Sequence, residues 1–369
     1  MVLSVEMLPA ERGDALLVEY GPGDAVTNRV LVDGGPVNSD QYRHLQERIA
    51  QIPRAVNGLR YFDLLIITHV DADHIEGVIR LLQDPDLRCV FDDIWFNGWK
   101  HLAQVDEETR LAVLGGKHGE YLGALLDFPG RPWNQLARGG PIFIPDQSED
   151  DAAAEPAPLP TFTLRAGLRL TLLSPTVEKL QRLAGVWEEE VKAAGFQPGD
   201  AEAAMAALSG TWWAKPTLGS ARITASPDKS EANGASIAVL AEYSGRAVLL
   251  AADAHDDVLT ESLRRLRGER SQAAPLRIDG LKLSHHGSKK NTTRQLLEEV
   301  LADHYLVSTN GDRFNHPNST AIKRIIDAHG PADEFALLFN YDQDNTKIWK
   351  KDELDTRFGT EAKLVLATD

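Results

Sequence analysis

Residues 62–77, Phe-Asp-Leu-Leu-Ile-Ile-Thr-His-Val-Asp-Ala-Asp-His-Ile-Glu-Gly, constrain this chain more than any other stretch. An apolar run of strand length, 64–67, stops at Thr68. Two histidines and two aspartates follow within six residues, before helical spacing sets in from Ile75 to Leu82. His69, Asp71, Asp73 and His74 are too close together to share one strand face. A tight strand-to-helix loop can turn their imidazoles and carboxylates toward one or two divalent cations. The competing reading, a polar solvated loop, does not require H-x-D-x-D-H directly behind a buried strand.

Matching ligand types recur at later strand ends. Residues 236–243 and 246–251 read as a hairpin ending at Ala252-Asp253, and 280–290, Gly-Leu-Lys-Leu-Ser-His-His-Gly-Ser-Lys-Lys, repeats the strand-then-polar-loop design. Together these segments resemble the metallo-β-lactamase fold superfamily, whose signature loop is H-x-H-x-D-H. Asp71 stands where many members carry the middle histidine, as in the subgroup resembling the hydrolase domain of the competence protein ComEC. Gly13-Asp14 and Asp33-Gly34-Gly35, which flank the second and third strands, are familiar in that subgroup as turns beside the metal loop. A turn-shaping role is expected for Asp33, not metal contact.

The resemblance implies an α/β fold, an αββα sandwich, forming one domain over 1–369 with insertions at about 100–160 and 176–232. It implies two divalent metal ions, Zn or Mn. One ion falls to Asp73, His74, Asp253 and one histidine of the 285–286 pair, taken as His285; the other falls to His69, Asp71 and a bridging Asp253. Most members add a further histidine before the bridging aspartate, whereas 231–236 here offers only Asn233, a weak ligand. Two such ions would lower the pKa of a bridging water and make hydroxide available as nucleophile.

Asp73 is then placed to orient that hydroxide. His286 would face substrate as proton donor or oxyanion stabiliser. His316, in Asn-His-Pro, either donates a proton at the site or fixes a turn. Ser288, Lys289 and Asn233 are the expected substrate-binding residues, Gly287 would let backbone approach substrate, and Lys289-Lys290 equally suits a solvated helix approach. His255 reads as a helix-start residue.

Elsewhere, 3–8, 15–20, 29–32, 90–96 and 305–308 read as strands and 40–52 as a helix. Trp95, Phe96 and Trp99 read as core or pocket wall. Residues 100–145 have weak periodicity, and 146–160 is an acidic Ala/Pro-rich stretch expected to be exposed. A hairpin is expected at 162–164 and 168–173, followed by helices at 176–194, 201–208 and 257–266. The segment 211–230 carries Trp212 and Trp213, and this second insertion suits a lid over the site or a dimerisation surface. Asn291 is expected to cap a helix holding Leu296, Leu297, Val300 and Leu301. The single cysteine, Cys89, excludes an intrachain disulfide and reads as a structural thiol.

The composition, 43% hydrophobic and 25% charged, is that of a globular protein without a bilayer-length apolar run. The N-terminus reads as a strand and not as a signal peptide, which predicts a cytoplasmic location. A formal net charge of −16 opposes long-range attraction of phosphate backbones and so disfavours a broad nucleic-acid surface. The expected function is a dinuclear metal-dependent phosphodiesterase or nuclease acting on a nucleotide or nucleic acid. The same centre would support hydrolysis of a small carboxylic ester, lactone or amide. A non-catalytic partner or regulatory subunit, or a homo-oligomer, could use the insertions as its interaction surface. DNA uptake is not implied, because the membrane channel of ComEC has no counterpart here.

Overall fold

The computed structural model describes residues 1–23, 27–37, 39–105, 116–127, 130–145, 157–193, 197–209, 230–312, 314–331, 333–350 and 354–368. The first half runs β1 (Val2–Met7), β2 (Leu16–Gly21), β3 (Asn28–Val32), α1 (Ser39–Ala50), β4 (Arg60–Phe62), β5 (Leu64–Ile66), α2 (Ala72–Gln83), β6 (Cys89–Phe91), β7 (Ile94–Trp95), α3 (Trp99–Val105) and α4 (Gly116–Asp127). A middle segment follows with β8 (Thr161–Thr163), β9 (Arg169–Ser174), α5 (Val177–Ala193), α6 (Ala201–Ser209) and α7 (Glu231–Gly234). The second half comprises β10 (Ala238–Tyr243), β11 (Arg246–Leu250), α8 (Asp256–Glu269), β12 (Leu276–Lys282), α9 (Arg294–Glu299), β13 (Val300–Val307), α10 (Ser319–Ala328), β14 (Ala336–Phe339), α11 (Asp344–Lys347), β15 (Asp355–Phe358) and β16 (Leu364–Ala367).

Two sheets face each other. One has six strands in the order β16-β1-β2-β3-β5-β7, and the other eight in the order β15-β14-β13-β12-β11-β10-β9-β8. Each changes from antiparallel to parallel pairing partway across, β3 with β5 in the first sheet and β11 with β12 in the second. Between them lies an apolar layer built from alternate strand residues such as Leu3, Val5, Leu64, Ile66, Leu170, Leu172, Val239 and Leu306. The opposite faces carry helices. Leu31 and Leu65 pack with α1, α2, α4 and α5 residues on one side, and Leu281 and Leu337 with α8, α9 and α10 residues on the other. This is the αββα sandwich that the resemblance implies, and β16 closes it by returning from the second half to pair with β1. No helix among the described residues is long and apolar enough to cross a membrane.

Several expectations are corrected in detail. The apolar stretch 90–96 is not one strand: β6 pairs with β4 in a separate two-stranded sheet, while β7 joins β5. The break is Asp93, whose buried carboxylate accepts from its neighbours Ile94 N and Trp95 Nε1 and from the distant Gln135 N and Leu136 N. Trp95 and Phe96 are buried in the core. The cap of α9 is Thr293, which accepts from Leu296 N, whereas Asn291 donates to Ala254 O. That helix ends at Glu299, so Val300 and Leu301 belong to β13. Residues 100–145, weakly periodic in sequence, contain α3 and α4. Tyr121 and Leu122 of α4 join Leu180, Trp187 and Ala204 of the second insertion in the helical layer covering the first sheet. The stretches 146–156 and 210–229, with Trp212 and Trp213, lie outside the described residues.

Candidate metal centre

The H-x-D-x-D-H loop leaves β5 between the two sheets, and α2 starts at Ala72 so that His74 sits in its first turn. His74 is buried, and its Nδ1 lies 2.8 Å from Asp33 Oδ2. The same carboxylate is fixed by the Thr68 backbone N–H at 2.8 Å and the Thr68 hydroxyl at 2.7 Å. With Nδ1 turned to Asp33, Nε2 points at Asp253 Oδ2, 3.7 Å away, and would offer its lone pair there once a metal ion took the place of its proton. Asp33 is therefore an orienting partner of His74 as well as the residue that turns the chain after β3, where its φ of 57° lies in the left-handed region.

His69 follows the same logic. The Thr68 hydroxyl donates to Asp33, so it accepts from His69 Nδ1 at 2.9 Å and leaves His69 Nε2 as an acceptor. Burial, with the neighbouring His74, pushes the His69 imidazole down to about 3, which keeps it neutral. The His69 and His74 rings stand 4.2 Å apart. For His74 burial opposes the charged form, but the carboxylates of Asp253 and Asp33 outweigh it and lift the imidazole to about 10. Asp253 itself is held well below the usual carboxylate range against the cost of burial, by His286 and His74 foremost.

The His-His-Gly loop reaches the centre from β12. His285 and His286 both adopt left-handed backbone, with φ of 46° and 56°, and the adjoining Ala252 does so at 49°. Backbone strain of this kind concentrates where side chains must be aimed. The two imidazoles separate: His286 is buried, with Nε2 3.5 Å from Asp253 Oδ1 and Nδ1 3.6 Å from Asp14 Oδ1. His285 is partly exposed, 3.9 Å from Asp253 Oδ2 and edge-on to His316 with ring centres 5.3 Å apart. Of the pair, His286 is the enclosed one and His285, the expected ligand, is the more exposed. The two side chains leave a loop in which both residues are left-handed.

The remaining expected residues are placed as follows. Asp71 lies at the rim, more than a third exposed, 3.8 Å from His69 Nε2. Asp73 faces Arg12 at 3.2 Å, and although burial opposes it, His74 and Arg12 keep its carboxyl below the usual range. Asn233, in α7, approaches His285 Nδ1 at 3.4 Å, and its side-chain oxygen is buried without a hydrogen-bond partner. Ser288 is buried and accepts from Lys290 N, while Lys289 is exposed. Gly287 packs on Pro317: a Cβ there would come within 2.7 Å of the Pro317 ring. His316 is buried, and its carbonyl accepts from Asn345. His255 is the N-cap residue of α8 and contacts Lys179 at 3.1 Å.

Lys282 and Arg12 carry no role in the sequence reading, and Asp14 enters it only as part of a turn beside the metal loop. Asp14 is buried between Lys282 and His286. Its signal was present, since Gly13 precedes it. A Cβ at Gly13 would lie 1.7 Å from Asp73 O, so only glycine lets this turn press against the metal loop.

A divalent cation fits these residues. His69 Nε2, His74 Nε2 and Asp253 Oδ1 are buried atoms without hydrogen-bond partners, and ligand atoms of His69, His74 and Asp253 lie within 4.8 Å of one another. Asp14, Asp253 and His286 form a second such group. Unsatisfied buried acceptors are costly, and the carboxylates of Asp14, Asp33 and Asp253 are buried here with the ammonium of Lys282. Cations would satisfy both deficits. The mixed imidazole and carboxylate donor set suits Zn²⁺, Mn²⁺ or iron.

No family model matches the chain, and no curated protein matches it. Among solved structures it is similar to Zn²⁺-bound PqqB from Methylobacterium extorquens, at 11% identity and a TM-score of 0.41 over 100% of both chains. It is also similar to a candidate metal-dependent hydrolase from Parabacteroides distasonis, at 11% identity and a TM-score of 0.36 over 96% of this chain and 93% of that one. A third likeness, to the MIM-2 metallo-β-lactamase, has 15% identity and a TM-score of 0.28 over 74% of this chain and 69% of the other. All three likenesses are distant.

Proposed function

We propose that the chain is a metal-dependent hydrolase of the metallo-β-lactamase fold, related to the ComEC-like subgroup, that cleaves phosphodiesters. The observation carrying this is the convergence of three buried imidazoles on Asp253: His69 Nε2 and His74 Nε2, both without hydrogen-bond partners, and His286, whose Nε2 faces Asp253 Oδ1 at 3.5 Å. His69, His74, Asp253 and His286 would hold the ions, with Asp71 and Asp73 completing the shells from the rim. Divalent ions bound there supply Lewis acidity and a water acidified toward neutrality.

The chain's own residues supply the rest. Attack of water on phosphorus breaks the P–O ester bond, and the departing oxygen needs a proton. His285, partly exposed and 3.9 Å from Asp253 Oδ2, stands edge-on to His316, and the two are suited to provide it. Phe314, 41% exposed, lies beside both, its ring centre 5.7 Å from His316 and 6.5 Å from His285. This aromatic rim suits a nucleobase or another planar substituent. With the net charge of −16, it favours short or single-stranded substrates over long duplexes.

Hydrolysis of bis(p-nitrophenyl) phosphate against p-nitrophenyl acetate, with added Mn²⁺ or Zn²⁺, tests the reading. Metal-dependent turnover of the diester is expected. Turnover of the acetate alone would support the carboxylic ester, lactone or amide reading, and inertness toward both with stable capture of a protein would support a non-catalytic subunit.

A further inference from the structure

The metal reading gives Lys282 no part, and Asp14, although grouped with Asp253 and His286, faces Nδ1 of His286, the nitrogen turned away from Asp253. Lys282 is the last residue of β12 and is fully buried. Leu281 and Leu283 point to the outer helical face, and a Cβ at Gly280 would meet Leu364 between the sheets, so Lys282 also points between the sheets. There its ammonium donates to Asp14 Oδ2, joining β12 of one sheet to the start of β2 in the other. A buried ammonium is expensive unless paired, and a methionine of similar volume would fill the same space at less cost. Packing alone does not account for it.

The surroundings of His74 show what the pair does. There, Thr68 fixes the Asp33 carboxylate, Asp33 contacts Nδ1 of His74, and Nε2 faces Asp253 Oδ2. Around His286 the order repeats: Lys282 fixes Asp14, Asp14 Oδ1 faces Nδ1 of His286, and Nε2 faces Asp253 Oδ1. Asp14 Oδ1 and His286 Nδ1 are both buried and have no hydrogen-bond partner elsewhere. We infer that Asp14 and Lys282 are a positioning pair: Lys282 holds one oxygen of Asp14 so that the other sets the tautomer and aim of His286 toward the ion beside Asp253.

The inference rests on the metal reading above, and the experiment separates the two. Full-length Asp14→Asn, Lys282→Met and the double variant are compared with the natural chain. The readouts are Zn²⁺ affinity by competition with a chromophoric chelator, bound metal per chain, thermal midpoint of the metal-free protein, and the His286 Nδ1–H resonance of the Zn²⁺-loaded protein. Lys282→Met, which strands a buried carboxylate, should lower the midpoint most, and the double variant should recover it. Zn²⁺ affinity should fall about 10–100-fold in Asp14→Asn and stay reduced in the double variant, with the Nδ1–H resonance moving upfield in both. Recovery of affinity together with stability in the double variant would make the pair purely structural and overturn the inference. Loss of a whole metal equivalent in Asp14→Asn would overturn it too, by making Asp14 a ligand. A natural chain that takes up no Zn²⁺ or Mn²⁺ would instead sink the metal reading, and this inference with it.

Discussion

Asp33 and His74, 41 positions apart in sequence, meet at 2.8 Å with neither side chain more than 1% exposed. The contact commits Nδ1 of the imidazole and leaves Nε2 for an ion. Asp33→Asn keeps the shape but can present its NH₂ group to Nδ1, which favours the wrong tautomer. Metal affinity should fall about 10–100-fold, as is usual when the partner of a ligating histidine is lost. Chelator competition on the purified variant checks this, and unchanged affinity would remove Asp33 from the metal centre.

Asp253 and Asp71 should behave differently in kind. Asp253 is only 5% exposed and faces three histidines, whereas Asp71 is 37% exposed at the rim. Asp253→Ala removes the group on which the imidazoles converge and should be inactive at any metal concentration. Asp71→Ala should keep the tighter ion and regain part of its activity as Mn²⁺ is raised toward millimolar levels. Bound metal per chain and rate, followed together across a Mn²⁺ titration, decide the matter. Full activity in Asp253→Ala, or equal metal loss in both variants, would contradict the bridging assignment.

Much of this candidate centre was legible because its residues follow strands directly. An apolar run ending in Thr68-His69 or in Ala252-Asp253 marks the end of a strand, and the loops at these strand ends are where the fold gathers the side chains of the centre. Which of His285 and His286 is enclosed was not legible, because it depends on backbone hand, and left-handed φ at two consecutive non-glycine residues has no sequence signature. Lys282 was hidden for a related reason. Within Leu-Lys-Leu its alternation reads as an ordinary solvent-facing strand position, and only the second sheet converts that face into an interior. The weakly periodic 100–145 stretch likewise forms helices because α5 and α6 cover it, a tertiary effect that local pattern does not carry.

The aromatic rim predicts a substrate preference. Thymidine 5′-(p-nitrophenyl phosphate) and methyl p-nitrophenyl phosphate share a leaving group and differ in what Phe314 can stack upon. Base stacking on an aromatic side chain is worth about 1–3 kcal/mol, so Phe314→Ala should raise KM for the nucleotide roughly 5- to 150-fold. The methyl ester should be nearly unaffected. Equal changes for the two substrates would show that Phe314 supports the loop and does not contact the base.

Acid stability offers a test away from the metal centre. His101 in α3 is fully buried against Trp133, with ring centres 4.7 Å apart. Its Nδ1 accepts from Gly98 N at 3.3 Å, so the fold specifies a neutral ring. Burial, aided by the Lys100 charge, lowers the imidazole from 6.5 to about 4. Between those values the unfolded chain binds a proton that the folded chain refuses. Stability therefore falls as pH drops from about 6.5 to about 4 and levels off below, by about 3 kcal/mol at most from this residue. His101→Gln can still accept from Gly98 but cannot titrate. It should cost roughly 1 kcal/mol at neutral pH through lost packing, and its stability curve should run flatter than that of the natural chain across this window. Urea unfolding of both proteins at intervals from pH 4 to 8 measures the difference; parallel curves would mean that His101 takes up its proton in the folded state as readily as in the unfolded one.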